Sequence, residues 1–123
     1  MANSSANKPV AAKSIAQQTL TLLAQLEADL QTAELWQKQM PKPAQLMSSQ
    51  PFATDTLDFH QWVQFIMIPS LRQCVQQRKP LPTKIAVSPM ALEVWKGQLK
   101  AHREIILTLK AIDELLDGHH ERH

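Results

Sequence analysis

Over residues 15–36 the positions Ile15, Thr19, Leu22, Leu23, Leu26, Leu30, Ala33 and Trp36 recur at intervals of three and four. This spacing stacks side chains on one stripe of an α-helix. Ser14 can cap its start, and Pro41 with Pro43 end it. A second stripe follows at Phe59, Trp62, Val63, Ile66, Met67, Leu71, Cys74 and Val75, widened by Phe65 and Ile68. A helix apolar over so much of its circumference belongs in the middle of a bundle. Asp55 or Thr56 offers it a capping oxygen, and Asp58 falls in its first turn, where the helix dipole favours negative charge. Pro69 lies inside the run, lacks an amide hydrogen and crowds the carbonyl of Phe65, which predicts a kink or a loosened turn. The last stripe comprises Leu99, His102, Ile105, Ile106, Leu109, Ile112 and Leu116, with Gly118 suited to its stop.

The connections are as informative as the stripes. Residues 42–54 carry two prolines and two serines without a helical period, predicting an extended run over the surface with Phe52 as its anchor. Arg78 and Lys79 close the second helix near its negative end, and Pro80, Leu81 and Pro82 form a stiff connector. Ser88 before Pro89 reads as a helix start, because serine caps and proline fits the first helical position, so a short helix is expected over 89–96. Residues 1–13 are aperiodic and read as a disordered tail, and residues 119–123 as a flexible tail containing histidines. The fold class this predicts is all-α: a compact antiparallel helical bundle of three long helices and one short one, spanning 14–118.

Composition supports that class. There are two glycines in 123 residues, whereas hairpins and phosphate-cradling loops generally use several residues at positive φ. The net charge of +2 implies no polyanion partner by itself, yet residues 72–110 hold eight basic side chains against Glu93 and Glu104. Cys74 is the sole cysteine, which excludes an intramolecular disulfide. No apolar run has the length of a signal peptide or a membrane span, so the expected location is the cytoplasm.

Candidate chemistry is sparse. Asp55 and Asp58 resemble paired carboxylates, but helix capping accounts for both. His119, His120 and His123 include a one-turn pair that can chelate a metal ion, yet no remote ligand completes a site and the segment reads as a solvated tail. Cys74 reads as core packing, His102 as a boundary histidine, and His60 as exposed beside Gln61 and Gln64. Trp36 and Trp62 fall on inner stripes, which leaves Trp95, near Lys96 and Lys100, as the tryptophan available for stacking. The basic residues Arg72, Arg78, Lys79, Lys84, Lys96, Lys100 and Arg103 can gather on one face if the short helix folds back beside the end of the second. No catalytic residue, metal site or cofactor is predicted.

The elements Gln50, Pro51 and Phe52; Asp55 and Thr56; Trp62; Ile68 and Pro69; Pro80, Leu81 and Pro82; and Ala86, Val87, Ser88 and Pro89 together resemble, in order and spacing, the pattern of the YqcC family. Met90 and Ala91 stand where that pattern has a pair of aromatics. The resemblance implies a small bacterial helical bundle of uncertain function, associated by name and gene neighbourhood with a tRNA pseudouridine synthase. Such synthases, as a class, isomerise uridine with a catalytic aspartate in a mixed α/β fold, for which this chain has neither strands nor length. The expected function is therefore a non-catalytic adaptor, an accessory partner of the synthase, with direct tRNA binding through a basic face as the alternative. The surface expected to serve either role comprises Arg72, Arg78, Lys79, Leu81, Lys84, Trp95, Lys96 and Lys100. A homodimer on leftover apolar area and a small-molecule pocket beside Pro69 are further readings.

Overall fold

The first helix, α1 (Ile15–Thr32), begins where Ser14 Oγ accepts the Gln17 N–H at 3.0 Å and Gln17 Oε1 accepts the Ser14 N–H at 3.3 Å. This reciprocal pair satisfies two amides that the helix leaves unpaired. The computed structural model describes residues 14–117, so the two tails and Gly118 lie outside the described residues. α1 stops short of the prolines that were expected to end it. Glu34 adopts a left-handed conformation (φ 62°), and the N–H groups of Glu34 and Leu35 turn back to the carbonyls of Gln31 and Leu30. That closing motif redirects Leu35 and Trp36 onto the core from outside the helix.

The stretch expected to be extended forms two short 3-10 turns, Pro43–Met47 and Pro51–Ala53, each opened by a proline whose missing N–H costs nothing there. Asp55 and Thr56 fasten this loop instead of capping the next helix. The Asp55 carboxylate accepts the Ser48 hydroxyl, and the Thr56 hydroxyl donates to the Gln45 carbonyl at 2.7 Å. The capping position belongs to Asp58, whose N–H is held by Gln61 Oε1 at 2.7 Å.

The second helix, α2, is continuous but composite: an α-helical turn Phe59–Trp62, a π-helical turn Val63–Met67 and an α-helix Ile68–Gln76. The loosened turn expected at Pro69 is this π turn, in which the Ile68 N–H reaches the Val63 carbonyl. Arg78 (φ 55°) ends α2 as Glu34 ends α1, with the Lys79 N–H on the Cys74 carbonyl at 2.9 Å.

Helix α3 (Val87–Val94) starts before the expected Ser88 cap, which makes Ser88 and Pro89 its second and third residues. Its cap comes from another helix. The Asp113 carboxylate accepts the N–H of Val87 at 2.9 Å and of Ser88 at 2.7 Å. Helix α4 (Arg103–Leu116) starts later than its apolar stripe suggested. Gly97 (φ 92°) reverses the chain after α3, and the Gln98 N–H closes on the Trp95 carbonyl, so Leu99 sits in a turn and is exposed.

Cross-links fix the topology. Arg72 pairs with Glu27 at 3.0 Å, and Gln64 with Gln37, so α1 and α2 run antiparallel. Phe59 meets Trp95, and Asp113 meets Val87 while His102 stacks on Trp95, which makes α3 antiparallel to both α2 and α4. The bundle is up-down-up-down, with no strand among the described residues. Its core is built of Leu23, Leu26, Leu30, Val63, Ile68, Val87, Ala91, Ile105, Leu109, Ile112 and Leu116, all essentially inaccessible to water.

Polar side chains enter this interior with their partners supplied, Asp29 and Gln64 among them. Asp29 accepts the Thr108 hydroxyl and the Gln25 amide, tying α1 to α4. Gln64, expected to be exposed, is buried because its amide closes both ways on the backbone of Gln37, at 2.9 Å and 2.7 Å. Each satisfies groups that would be costly if left unpaired.

Candidate functional site

An apolar groove of about 400 Å³ opens over the middle of α2, walled by the two proline-bearing connections. Pro51 and Phe52 form one side, Pro82, Ile85 and Val87 the other, and Trp62, Ile66, Met67 and Leu71 the floor, with Ser70 the one hydroxyl side chain in the lining. Local backbone features produce it. Phe52 and Ala53 both adopt left-handed conformations (φ 58° and 49°), which turn the Phe52 ring inward onto Trp62 at 4.8 Å. Ala86, also left-handed (φ 42°), turns the opposite connection into α3, and Asp113 fastens that turn. Trp62, just before the π turn, and Ile66, within it, are half-buried at the edge of the core. A concave, mostly apolar lining with one polar group suits an apolar segment of a partner or an apolar ligand.

A second hollow, about 440 Å³, lies beside Pro69 and is lined by Leu46, Phe65, Ile66, Ser70, Gln73 and Gln76. It lies where a pocket was expected but is wide open and edged by glutamines, so it offers little enclosure.

The basic residues expected to form one surface are divided between the ends of the bundle. Arg78 and Lys79 follow the C-terminal end of α2, whereas Trp95, Lys96 and Lys100 lie at the turn beside Phe59, its N-terminal end. A helical run of this length separates them by roughly 25 Å. α3 does begin beside the end of α2, as expected, but it then runs back along it. Arg72 is engaged by Glu27, Leu81 packs partly on the core, and Lys84 stands exposed at the rim of a small hollow containing Asp113, Glu114 and Asp117.

Trp95 is buried, not a free stacking platform. Its ring meets Phe59 edge-on at 5.2 Å and lies flat against His102 at 4.4 Å. His60, expected to be exposed, is half-buried nearby, with Nδ1 unpartnered among the described residues and Nε2 3.9 Å from Asp58. Burial pushes its imidazole below the ordinary histidine range, a shift opposed by Asp58 and reinforced by His102. Cys74 is a half-buried free thiol. The described residues hold no cluster of three or more His, Cys, Asp or Glu able to bind a metal ion, and no helix long and apolar enough to cross a membrane. His119, His120 and His123 lie outside the described residues.

Ile66, Ser70 and Ile85 were not singled out as functional from sequence, and Pro51, Phe52, Trp62 and Pro82 were read as architecture. The signal was the set of spaced motifs itself: pieces remote in sequence converge on one groove.

The family described as tRNA pseudouridine synthase C (DUF446) matches residues 18–115. An uncharacterised protein of Haemophilus influenzae is 32% identical over 101 residues, covering 82% of this chain and 94% of that protein. Uncharacterised protein YqcC of Escherichia coli is 38% identical over 64 residues, covering 52% of this chain and 59% of that protein. A tRNA pseudouridine synthase C of Pectobacterium carotovorum is 26% identical over 78 residues, covering 63% of this chain but 21% of that protein. The solution structure of Escherichia coli YqcC superposes with a TM-score of 0.77 at 28% identity, covering 90% of this chain and 99% of that one.

Proposed function

The chain belongs to the YqcC-like family described as tRNA pseudouridine synthase C, and from that membership we propose that it is a non-catalytic helical adaptor of such a synthase. One observation carries the reading. The match to the Pectobacterium protein covers about a fifth of a polypeptide named as the synthase itself. A segment resembling this bundle is therefore joined covalently to other chain in a protein of that name. Two units that are fused in one protein and separate elsewhere are natural candidates for a non-covalent pair, because fusion supplies only the effective concentration that binding otherwise provides.

The groove over α2 supplies the chemistry for docking. It presents two aromatic rings and a methionine, residue types enriched at protein interfaces, among prolines and aliphatic side chains. Direct RNA binding has less support, since the cations that would track a phosphate backbone stand at opposite ends of the bundle.

The test is calorimetric titration of the purified chain with the tRNA pseudouridine synthase of the same organism. Saturable binding is expected, and Ile66→Glu or Ile85→Asp should weaken it at least tenfold. Absence of binding at 100 μM-order concentrations (about 5 kcal/mol of binding free energy) would overturn the adaptor reading. Uridine isomerisation by the chain alone would overturn its non-catalytic character. Salt-sensitive binding to tRNA, lost on Lys79→Glu with Lys84→Glu, would favour the alternative.

A further inference from the structure

On the face formed by α3, the following turn and α4, the leucines Leu92, Leu99 and Leu107 are 47%, 43% and 45% exposed and line one hollow of about 240 Å³ with Ile106, Lys100 and Arg103. This face shares no residue with the groove over α2. Large apolar side chains grouped on a surface mark an interaction site more often than the same side chains scattered singly.

The outward stripe of α4 shows what fits there. Lys100, in the turn leading into the helix, is followed at one- and two-turn spacings by Arg103, Glu104, Leu107, Lys110 and Glu114. Leu107 is its midpoint. An antiparallel copy of the same helix, related by a two-fold axis at Leu107, sets each residue opposite the one equally distant on the other side. Glu104 then faces Lys110 of the second copy, and this pairing occurs twice, while Lys100, in the turn before α4, lies outside the helical register. The Glu104–Lys110 pairing is attractive, Arg103 faces the uncharged Ala111, and the two Leu107 side chains meet at the axis. Such self-complementarity is what a two-fold interface requires.

The charges are available for it. Among the described residues Arg103 pairs with its neighbour Glu104 at 3.3 Å and Lys110 with Glu114 at 4.0 Å, with all four side chains largely exposed. Exposed pairs of this kind contribute little and rearrange readily. We propose that this face is a homodimer interface, with α4 packed antiparallel on its copy about Leu107 and flanked by Leu92 and Leu99. The proposal does not depend on the synthase reading.

The test is sedimentation velocity of the full chain over a concentration series. A reversible monomer–dimer equilibrium is expected, with a dissociation constant on the order of 10–100 μM, since an interface centred on three leucines is small. Leu107→Asp should abolish it. Glu104→Lys and Lys110→Glu, each placing two like-charge contacts in the dimer, should each weaken it roughly tenfold, and combining them should restore it. All these side chains are exposed, so circular dichroism and thermal midpoints should stay near wild type. A monomer throughout the series, or dimerisation indifferent to the two charge reversals, would overturn the proposal. Association that the reversals weaken but their combination fails to rescue would overturn the antiparallel register.

Discussion

Asp113 occupies an unusual position as the cap of a helix to which it does not belong, and its removal gives the sharpest test of how the bundle is held. Both carboxylate oxygens are used, one on the Val87 N–H and one on the Ser88 N–H. Replacing a capping side chain by alanine typically costs about 0.5–2 kcal/mol, and hydrogen bonds to charged groups contribute about 1.5–3 kcal/mol each when sheltered. Asp113 is half-exposed, so water compensates part of the loss, and Asp113→Ala should cost about 2 kcal/mol. For a domain of this size that corresponds to a fall of roughly 10 °C in Tm. Asp113→Asn, which keeps one acceptor oxygen, should cost about half as much. The measurement is urea unfolding followed by far-UV circular dichroism, with hydrogen exchange read at Val87 and Ser88. Those two amides should exchange faster in Asp113→Ala while the amides of α1 track only the global change. A loss under about 0.5 kcal/mol, or unchanged exchange at 87 and 88, would show that Asp113 does not hold the start of α3.

Three further perturbations follow from the same structure. Glu34→Gly and Arg78→Gly should each stabilise by about 0.5–1 kcal/mol in chemical denaturation, because both residues hold the left-handed closing position that glycine adopts without strain; destabilisation would contradict that role. Thr108→Val keeps the side-chain shape but leaves buried Asp29 without one of its two partners, and should cost about 1–3 kcal/mol in the same assay. His60 is held below the ordinary histidine value of 6.5 by burial. The unfolded chain therefore binds a proton that the folded chain refuses as pH falls through 6.5, so stability should decline from there to the lower folded value. His60→Gln should flatten that part of the pH profile, and an unchanged slope would count against the buried neutral imidazole.

The periodic stripes made the three longer helices legible and the Ser88–Pro89 pair the short one, together with their order, but the central place expected for α2 belongs to α4, which packs on both α1 and α3. Pro69 announced its π turn through a missing amide hydrogen and a crowded carbonyl. What escaped the sequence depended on contacts between remote segments. Glu34 closes α1 before Pro41 because a non-glycine residue accepts a left-handed conformation, which local propensity disfavours. Asp113 displaces Ser88 as the cap of α3 because the partner lies 25 residues away in the chain, beyond any local rule. Leu99 has the spacing of a core residue, but Gly97 breaks the helix on which that spacing depends. Trp95 passed for a surface ring because its burial comes from Phe59 and His102, on other elements. The candidate site was visible as a set of motifs, but that Pro51, Phe52, Trp62, Pro82 and Val87 line one groove requires the fold.

The proposed adaptor role assigns this groove as the surface that receives the synthase. Hydrogen exchange of the chain with and without a saturating amount of the purified enzyme tests it most directly, because the readout places the contact as well as detecting it. Added protection is expected in the segments 51–53, 62–71 and 82–88, with Ile66→Glu removing it. Protection confined to the Leu92, Leu99 and Leu107 face, or no change at any segment, would contradict it.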